Sequence, residues 1–557
     1  MAEPDVVIVG AGAGGLAAAW RLASAGMRVV LLEAGRAYRP EVDYPQDQDD
    51  FELRGFPYDP VNDERGKPRY AFGSAQEIGP EWDDLRSRNV GQGRFVEGNR
   101  REYQVYSHVR GVGGSTLHFQ GEAHRFHPDS LRMRTLFGVG ADWPLSWEEL
   151  DRYYTIAEER IGVAAPENPL RPGGSGTTLP PHPLSYASQR LAKGFASVGA
   201  TLVPNSLAIL SRPYDRRPPC NHCNSCTQGC PIGDKGSADV TFLPAALATG
   251  RLELRTQAQA VEIEVGKDGK PTAVVCQDRN GARSRIAARY LILAAGTIET
   301  PRLLLLSRSR LHPQGIGNAR GQVGRNLTES LFWTSVALLQ SRVDSFRGVP
   351  IDGSAWEFAV PHRGDGWIGG FRIATAHGTL ELRGPAAYAQ RLVPGFGRAH
   401  AQRVRETFGH AVGVLALGEW LPNENTFVDV DPWRRDSAGV PLARITSMLG
   451  DNERSLLRTM AKATCAVLSA TEKAEIVEQT SALDLFVATH VLGTCRIGTD
   501  PATSVADADG FCHEVPNLAF ADGSALPSSG CGDSPFLTIT AMALRTADRL
   551  IDRARHG

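Results

Sequence analysis

Gly10, Gly12 and Gly15 stand in G-x-G-x-x-G spacing directly after the apolar run DVVIV, and Glu33 closes a second apolar run, VVLLE. Strand, tight turn, helix, strand and acid in that order form a site for a dinucleotide. Glycine is required where the turn is sharp, where the backbone must approach a pyrophosphate, and where helix packs on strand. The amides at the helix N-terminus are unpaired and carry partial positive charge, which suits the pyrophosphate. The carboxylate of Glu33 can accept hydrogen bonds from a ribose hydroxyl and disfavours a 2′-phosphate. The competing reading is a glycine-rich turn in a sheet that binds no nucleotide.

A second constellation is Cys220, Cys223, Cys226 and Cys230 in CNHCNSCTQGCP. The spacing CxxCxxCxxxCP is that of bacterial ferredoxin clusters, in which the fourth cysteine serves a second cluster. One such run gives three ligands and a spare, as a three-iron cluster requires, or four if Cys230 closes a four-iron cluster. Structural zinc held by four thiolates and packed cysteines without a metal stay open as alternatives. His222, inside the run, reads as a solvated loop residue.

These residues need a large scaffold. At 557 residues the chain exceeds one core and suggests about two or three domains. Lys+Arg 60 nearly balances Asp+Glu 62, so nothing points to nucleic acid or an anionic membrane, and small neutral ligands fit better. No apolar run reaches the ~20 residues of a membrane span. Only Met1 to Pro4 precede the first strand, so no signal peptide is expected; the compartment expected is the cytoplasm, with export on a partner as the alternative. Nine cysteines, an odd number with four crowded together, argue against a disulfide framework.

Along the chain, residues 36–105 are rich in Pro, Gly, Asp and Arg without sustained periodicity, and read as a lid or a partner surface. A second glycine-rich turn follows in RGVGGSTLH (110–118), then a helix over 146–161 and a Pro/Gly linker over 163–180. Alternation over 252–265 and 272–278 predicts a hairpin or meander, and RYLILAAG (289–296) a buried strand beside the first one. Residues 331–484 hold strand-like pieces, WTSVALLQ and NTFVDVDP, and a helix over 453–469, without any cofactor-type turn. Glycine-rich sequence returns at 490–535, and an apolar helix over 538–553 closes the chain.

Beyond the N-terminal site, GVGGSTLHF (111–119), GTIETPRLLLLS (296–307), HVLGTCRIG (490–498), NLAFADGSALPSSG (517–530) and SPFLTITAMA (534–543) resemble one family, the glucose-methanol-choline (GMC) flavoprotein oxidoreductases. The resemblance implies an α/β fold: a Rossmann-like FAD-binding domain with a discontinuous α+β substrate domain built on an antiparallel sheet. The expected boundaries are 1–330 for the FAD-binding part with its excursion and cysteine-rich loop (218–235), 331–484 for the substrate domain, and 485–557 for the return to the FAD-binding domain. It implies FAD as cofactor, with Gly113, Gly114 and Ser115 along its flavin side, Val261 near the adenine, and Asp522 with Gly523 beside the ribityl and pyrophosphate. His118 occupies a position where some relatives attach the flavin covalently.

The same resemblance makes His490 the catalytic base over the flavin. Oxidising an alcohol removes a hydroxyl proton while hydride leaves the carbon for flavin N5, and histidine can accept that proton near neutral pH. The second member of the family's pair is normally His or Asn; here it is Ser534, in CGDSPFLT. A serine hydroxyl can hydrogen-bond the substrate oxygen but is no base near neutral pH, so His490 would carry the proton transfer alone. Asp533 beside it is expected to point away. Cysteine-rich segments of similar kind occur in the family's iron–sulfur sugar dehydrogenases and in its long-chain alcohol oxidases. A cluster would let electrons leave towards a cytochrome or another carrier, with a small subunit as a further partner, and would favour a dehydrogenase over an oxidase. A sugar, glycoside or polyol is the expected substrate, with Trp333, Trp356, Trp367 and Trp420 as candidate stacking surfaces. The rivals are an aliphatic or steroid alcohol, a non-oxidative lyase, and an electron-transfer subunit.

Overall fold

The structure is a computed structural model that describes residues 3–44, 94–97, 100–103, 109–168, 170–171, 178–377, 384–436, 438–482 and 490–556. Every residue of Val6–Val9 and Val29–Leu32 is buried, which is the pattern of strands covered on both faces of a parallel sheet. They lie at the centre of a five-stranded sheet in the order Leu518–Phe520, Tyr290–Leu293, Val6–Val9, Val29–Leu32, Leu252–Arg255. Every pairing in it is parallel, with Val6 opposite both Tyr290 and Val29. The helix Ala13–Ser24 crosses between the first two strands and packs against Phe536–His556 and Ala238–Ala248. Its buried run Ala17, Ala18, Ala19 presents only methyl groups, so the neighbouring helices approach closely.

Ligands of open α/β sheets sit beyond the carboxyl ends of the strands. Four strands end there side by side, and they deliver Gly10, Glu33, Ala294 to Gly296, and Asp522 to one edge.

A second sheet is antiparallel throughout, in the order Glu475–Ser481, Leu331–Leu338, Ala411–Gly418, Phe371–Thr375, Gly353–Ala355, Val203–Pro204. All eight residues of Ala411–Gly418 are buried. The helix Asp451–Ser469 covers one face with Leu456, Leu457, Met460 and Val467. Phe332 and Leu417, paired across two strands, turn towards the first sheet.

Several expectations change in detail. Residues 252–265 do not form one strand: the chain breaks at Gln257, whose φ is +55°, so Leu252–Arg255 joins the parallel sheet. Gln259–Val265 then pairs with Pro271–Gln277 and, beyond it, Arg283–Ala287 in a separate sheet of three strands. The second core also reaches back before residue 331, taking in Ala187, Leu191 and Phe195 from Tyr186–Ser197. Within the excursion over 36–105, Arg100–Tyr103 pairs with Pro441–Met448. Most of that excursion, including the expected partner surface, lies outside the described residues. The helices expected over 146–161, 453–469 and 538–553 are Trp147–Ile161, Asp451–Ser469 and Phe536–His556.

Candidate active site

One long cavity runs from the carboxyl edge of the parallel sheet to the inner face of the antiparallel one. Gly10, Gly12, Glu33, Val261, Asp522 and Gly523 line it, as do Gly114, Ser115, His118, His490 and Ser534. Gly15 and Gly113 do not; they serve the backbone behind the wall.

The glycine turn explains itself atom by atom. Gly10 has φ +103°, and a Cβ there would lie 2.3 Å from the carbonyl oxygen of Ala294. A Cβ on Gly15 would lie 1.9 Å from the carbonyl oxygen of Gly10. Gly14, which the motif spacing overlooks, is equally constrained, with the oxygen of Ala521 1.7 Å from its Cβ position. Gly12 differs: no protein atom lies within 4 Å of its Cβ position, and as N-cap of Ala13–Ser24 it offers no side-chain cap. The first amides of that helix therefore face open space suited to an anion. Gly114 closes the other side, its Cβ position 2.9 Å from Gly12 Cα.

Glu33 accepts hydrogen bonds from the amides of Ala11 (3.0 Å), Gly35 (2.8 Å) and Gly111 (3.1 Å). It thus clamps the two glycine turns together. Burial pushes its carboxyl upward while those amides pull it back. Of the roughly four acceptor positions of a carboxylate, three are taken, which leaves one for a ribose hydroxyl. Asp522 is held alike by the amides of Gly296 (2.9 Å) and Ser524 (2.8 Å) and the hydroxyl of Thr300 (2.6 Å), with burial again raising it. The cavity, the bare helix terminus and the spare acceptor on Glu33 fit an extended dinucleotide cofactor.

At the far end, Nδ1 of His490 lies 3.0 Å from Ser330 Oγ. Burial pushes its pKa down to about 4; Glu122 opposes the shift and Arg372 adds to it. His490 is neutral at ordinary pH. Ser534 shares the cavity wall, and its amide donates to Nδ1 of His124 at 3.0 Å.

Behind Ser534 lies a ring of buried polar groups that the sequence reading did not single out. Because His124 Nδ1 accepts from an amide, its Nε2 carries the proton and donates to Asn205 Oδ1 at 3.0 Å. Asn205 Nδ2 donates to Glu122 Oε1 at 2.9 Å. Arg372, fully buried, meets Glu122 with two nitrogens, at 2.7 Å to Oε1 and 3.0 Å to Oε2, and its Nε donates to the carbonyl of Gly532 at 3.3 Å. The ring closes on the residues just before Ser534. Burial pushes His124 down to about 3. Burial also raises Glu122, but the Arg372 guanidinium, with His124 and Asn205, outweighs it and holds the carboxyl at about 2. Asp533 does point away from the cavity, towards Arg171 at 3.2 Å, and burial pushes it up to about 6. The nearest signal in the sequence is GEAHRFH (121–127), which crowds Glu122, His124, Arg125 and His127 shortly after the second glycine turn.

The cysteine run departs from expectation. Cys226 is buried, Cys220 and Cys230 are half-buried, and Cys223 is exposed. Cys230 donates to Asp234, and burial pushes the thiols of Cys220, Cys226 and Cys230 up, the last to about 11. Among the described residues no three His, Cys, Asp or Glu side chains converge to hold a metal ion. As placed, Cys220, Cys223, Cys226 and Cys230 do not fit a cluster or a zinc site. The segment does brace the cavity wall: His118 Nδ1 donates to the carbonyl of Thr227 at 2.7 Å. Lys235, buried, donates to the carbonyls of Leu117 (2.8 Å), Phe119 (3.2 Å) and Cys226 (2.6 Å).

None of Trp333, Trp356, Trp367 and Trp420 lines the cavity. Trp356 packs edge-on against His124, with ring centres 4.9 Å apart, and Trp367 and Trp420 sit in the second core. Towards the antiparallel sheet the cavity takes aliphatic and aromatic walls instead, from Phe332, Ile351, Leu415 and Leu417. No helix among the described residues is long and apolar enough to cross a membrane.

Comparison with known proteins agrees with this geometry. The pattern of the GMC oxidoreductases matches residues 206–331 and 422–543, and that of an NAD(P)-binding Rossmann-like domain matches residues 8–45. The 2-methyl-1,2-propanediol dehydrogenase of Mycolicibacterium austroafricanum is 30% identical, over 99% of this chain and 96% of its own. The fructose dehydrogenase large subunit of Gluconobacter japonicus is 28% identical over 99% and 98%, and the paromamine 6'-oxidase of Streptomyces fradiae 28% identical over 98% and 90%. Among solved structures, pyridoxine 4-oxidase from Mesorbium loti superposes with a TM-score of 0.64 at 17% identity, covering 99% of each chain. The formate oxidase of Aspergillus oryzae RIB40, studied for its FAD modification, does so with 0.66 at 14% identity, covering 100% of this chain and 99% of its own. At these identities the structures speak for the fold alone.

Proposed function

This chain belongs to the GMC oxidoreductase family, which acts on CH–OH groups, and from that premise we propose that it oxidises an alcohol to a carbonyl compound with FAD along the cavity and His490 as base. The observation that carries this reading is a neutral histidine facing the same cavity as the glycine turn, with one nitrogen committed to Ser330. FAD bound there supplies the hydride acceptor. His490 takes the hydroxyl proton: with Nδ1–H donating to Ser330 Oγ, Nε2 is left as a bare acceptor. Ser534 offers its hydroxyl to the substrate oxygen. Gly12 and the amides after it receive the pyrophosphate, Glu33 a ribose hydroxyl, Asp522 and Gly523 the stretch between, and the backbone at Val261 the adenine. Gly114, Ser115 and His118 border the flavin, with Gly113 shaping their turn.

For the substrate, the apolar walls support a compact alcohol with an aliphatic body over a pyranose stacked on tryptophan. A relative named for a branched diol and another named for fructose bracket the choice, and the walls favour the first kind. The electrons pass to an acceptor outside the chain; the placement of the four thiols lends no support to a cluster as the route. Iron and acid-labile sulfide assayed on the flavoprotein separate the routes, since flavin with stoichiometric iron and sulfide would make the cysteines an electron exit.

The test is anaerobic. A substrate alcohol should bleach the flavin, which a lyase or a vestigial electron-transfer subunit would not support. Replacing His490 by Ala should slow that reduction by roughly 10²-fold or more, the usual worth of a positioned base, with FAD still bound. Reduction at an unchanged rate would sink the assignment.

A further inference from the structure

Resting on that reading, we infer that Glu122 selects the substrate by accepting a hydrogen bond from a second donor group beside the carbon being oxidised, so that 1,2-diols and 1,2-amino alcohols are preferred over monoalcohols, and carboxylates are excluded. The position comes first. Glu122 lines the cavity with His490 and Ser534. Chain links gather the apolar walls around it: Asn205, its hydrogen-bond partner, also donates to the carbonyl of Ile351 at 3.1 Å. Gly532, which Arg372 holds, packs on the backbone of Leu417, and Ser330, the partner of His490, precedes Phe332 by two residues. The other charged lining groups, Glu33, Arg110, Glu299, Arg302 and Asp522, border the glycine turns, the helix Glu299–Leu306 and the Gly296 turn at the dinucleotide end. Near the alcohol, Glu122 is the charged group among the described lining residues.

Its hydrogen-bonding capacity points the same way. A carboxylate has about four acceptor positions and no donor. Oε1 already receives Arg372 Nη1 and Asn205 Nδ2, while among the described residues Oε2 receives only Arg372 Nη2. One position on Oε2 stays open, and only an O–H or N–H can fill it. The partner must therefore be a donor.

Rigidity and charge complete the case. Arg372 is fully buried and is itself fixed by Ser354 Oγ at 2.9 Å and by Gly532. The carboxylate can neither rotate away nor take up a proton at ordinary pH. Because Arg372 cancels its net charge, the site does not demand a cation and suits a neutral hydroxyl. A carboxylate substrate would instead set an acceptor with no proton to donate against the open edge of Oε2, and would lose its own hydration in an apolar pocket.

The experiment compares kcat/KM, with an artificial acceptor, for 1,2-propanediol and 1-propanol. A hydrogen bond to a charged group predicts a preference for the diol of roughly 10- to 100-fold. The ratio is then measured in Glu122→Gln and in the paired Glu122→Met/Arg372→Met protein, in which no buried charge is left without its partner. In both the ratio should fall towards one. Equal kcat/KM for the two alcohols in the unaltered protein, or a ratio that survives both replacements, overturns the inference while leaving alcohol oxidation standing. No flavin reduction by any alcohol overturns both. The first comparison needs no variant, so a variant that fails to fold does not shield the idea.

Discussion

Replacing Gly12 by Ala should weaken FAD binding without unfolding the protein, and the structure separates the two effects. At φ −82°, ψ −164° the Gly12 backbone suits any residue, and no protein atom lies within 4 Å of the new methyl group. The fold therefore loses at most the difference between glycine and alanine at an N-cap, about 1 kcal/mol or less. The methyl group stands instead in the space where a pyrophosphate must approach. Crowding of one methyl group against a close-packed surface costs about 1–3 kcal/mol, which is roughly 5- to 150-fold in Kd. Gly14→Ala is the control of opposite character: its Cβ would fall 1.7 Å from the Ala521 carbonyl oxygen, so the apoprotein itself should be strongly destabilised. The assay is titration of each apoprotein with FAD by quenching of flavin fluorescence, together with urea unfolding without FAD. Wild-type FAD affinity in Gly12→Ala would mean that no ligand approaches this turn. A large loss of apoprotein stability in the same variant would mean that protein atoms fill the space, and either result refutes the argument.

Other outcomes follow from the alcohol end. His490 accepts a proton only when neutral, so kcat/KM should stay level down to about pH 5 and fall as pH drops through about 4. Glu122→Gln removes the charge that opposes the downward shift, and moves that fall to lower pH; an upward move in the pH–rate profile would contradict the electrostatics. Ser330→Ala should lower kcat by roughly 5- to 10-fold at little change in KM, the size of one hydrogen bond, with Ser330→Thr recovering most of it in steady-state assays. Stability of the apoprotein should decline with acid. His490 at about 4 and His124 at about 3 are neutral in the fold but take up protons near pH 6.5 when unfolded, so the unfolded state binds more protons and stability falls between pH 6.5 and about 3. Asp533, raised from 3.8 to about 6, works in the opposite sense over that narrower window, and two histidines outweigh it in urea midpoints measured across pH.

The parallel sheet was legible because its strands are short, apolar on both faces and punctuated by glycine; Val6–Val9, Val29–Leu32 and Tyr290–Leu293 carry that pattern with little help from the rest of the chain. The strand Leu252–Arg255 was misjoined for a local reason. Its alternation runs on unbroken into Gln259–Val265, and the left-handed turn at Gln257 that separates them has no glycine to announce it. Gly12 and Gly10 look alike in a motif, yet one faces open space and the other a carbonyl, a distinction that only the packing makes. Glu122, His124, Asn205 and Arg372 are hard to read as a group because the ring draws them from three separate stretches of chain and closes on a fourth at Gly532 and Ser534. Spacing within any one of those stretches does not reveal it.

That ring also bears on Ser534, at the position where the resemblance leads one to expect histidine or asparagine. The loop before Ser534 is held by its backbone rather than by the side chain at that position. Glu419, fully buried, accepts from the amide of Ser529 (3.1 Å), its hydroxyl (2.9 Å) and the amide of Cys531 (2.6 Å). Those bonds hold Cys531 at φ +57°, a left-handed conformation that a non-glycine residue adopts at a cost. Arg372 takes the carbonyl of Gly532, and His124 the amide of Ser534. With the main chain fixed at both sides, the side chain at 534 is free to be short. A short side chain leaves room beside His490, and the lining group that can use that room is Glu122, whose carboxylate is tied through Asn205 and His124 to the same amide. On the proposed reading, a short side chain at 534 and a fixed carboxylate at 122 are parts of one arrangement, in which proton transfer would rest on His490 and substrate choice on Glu122.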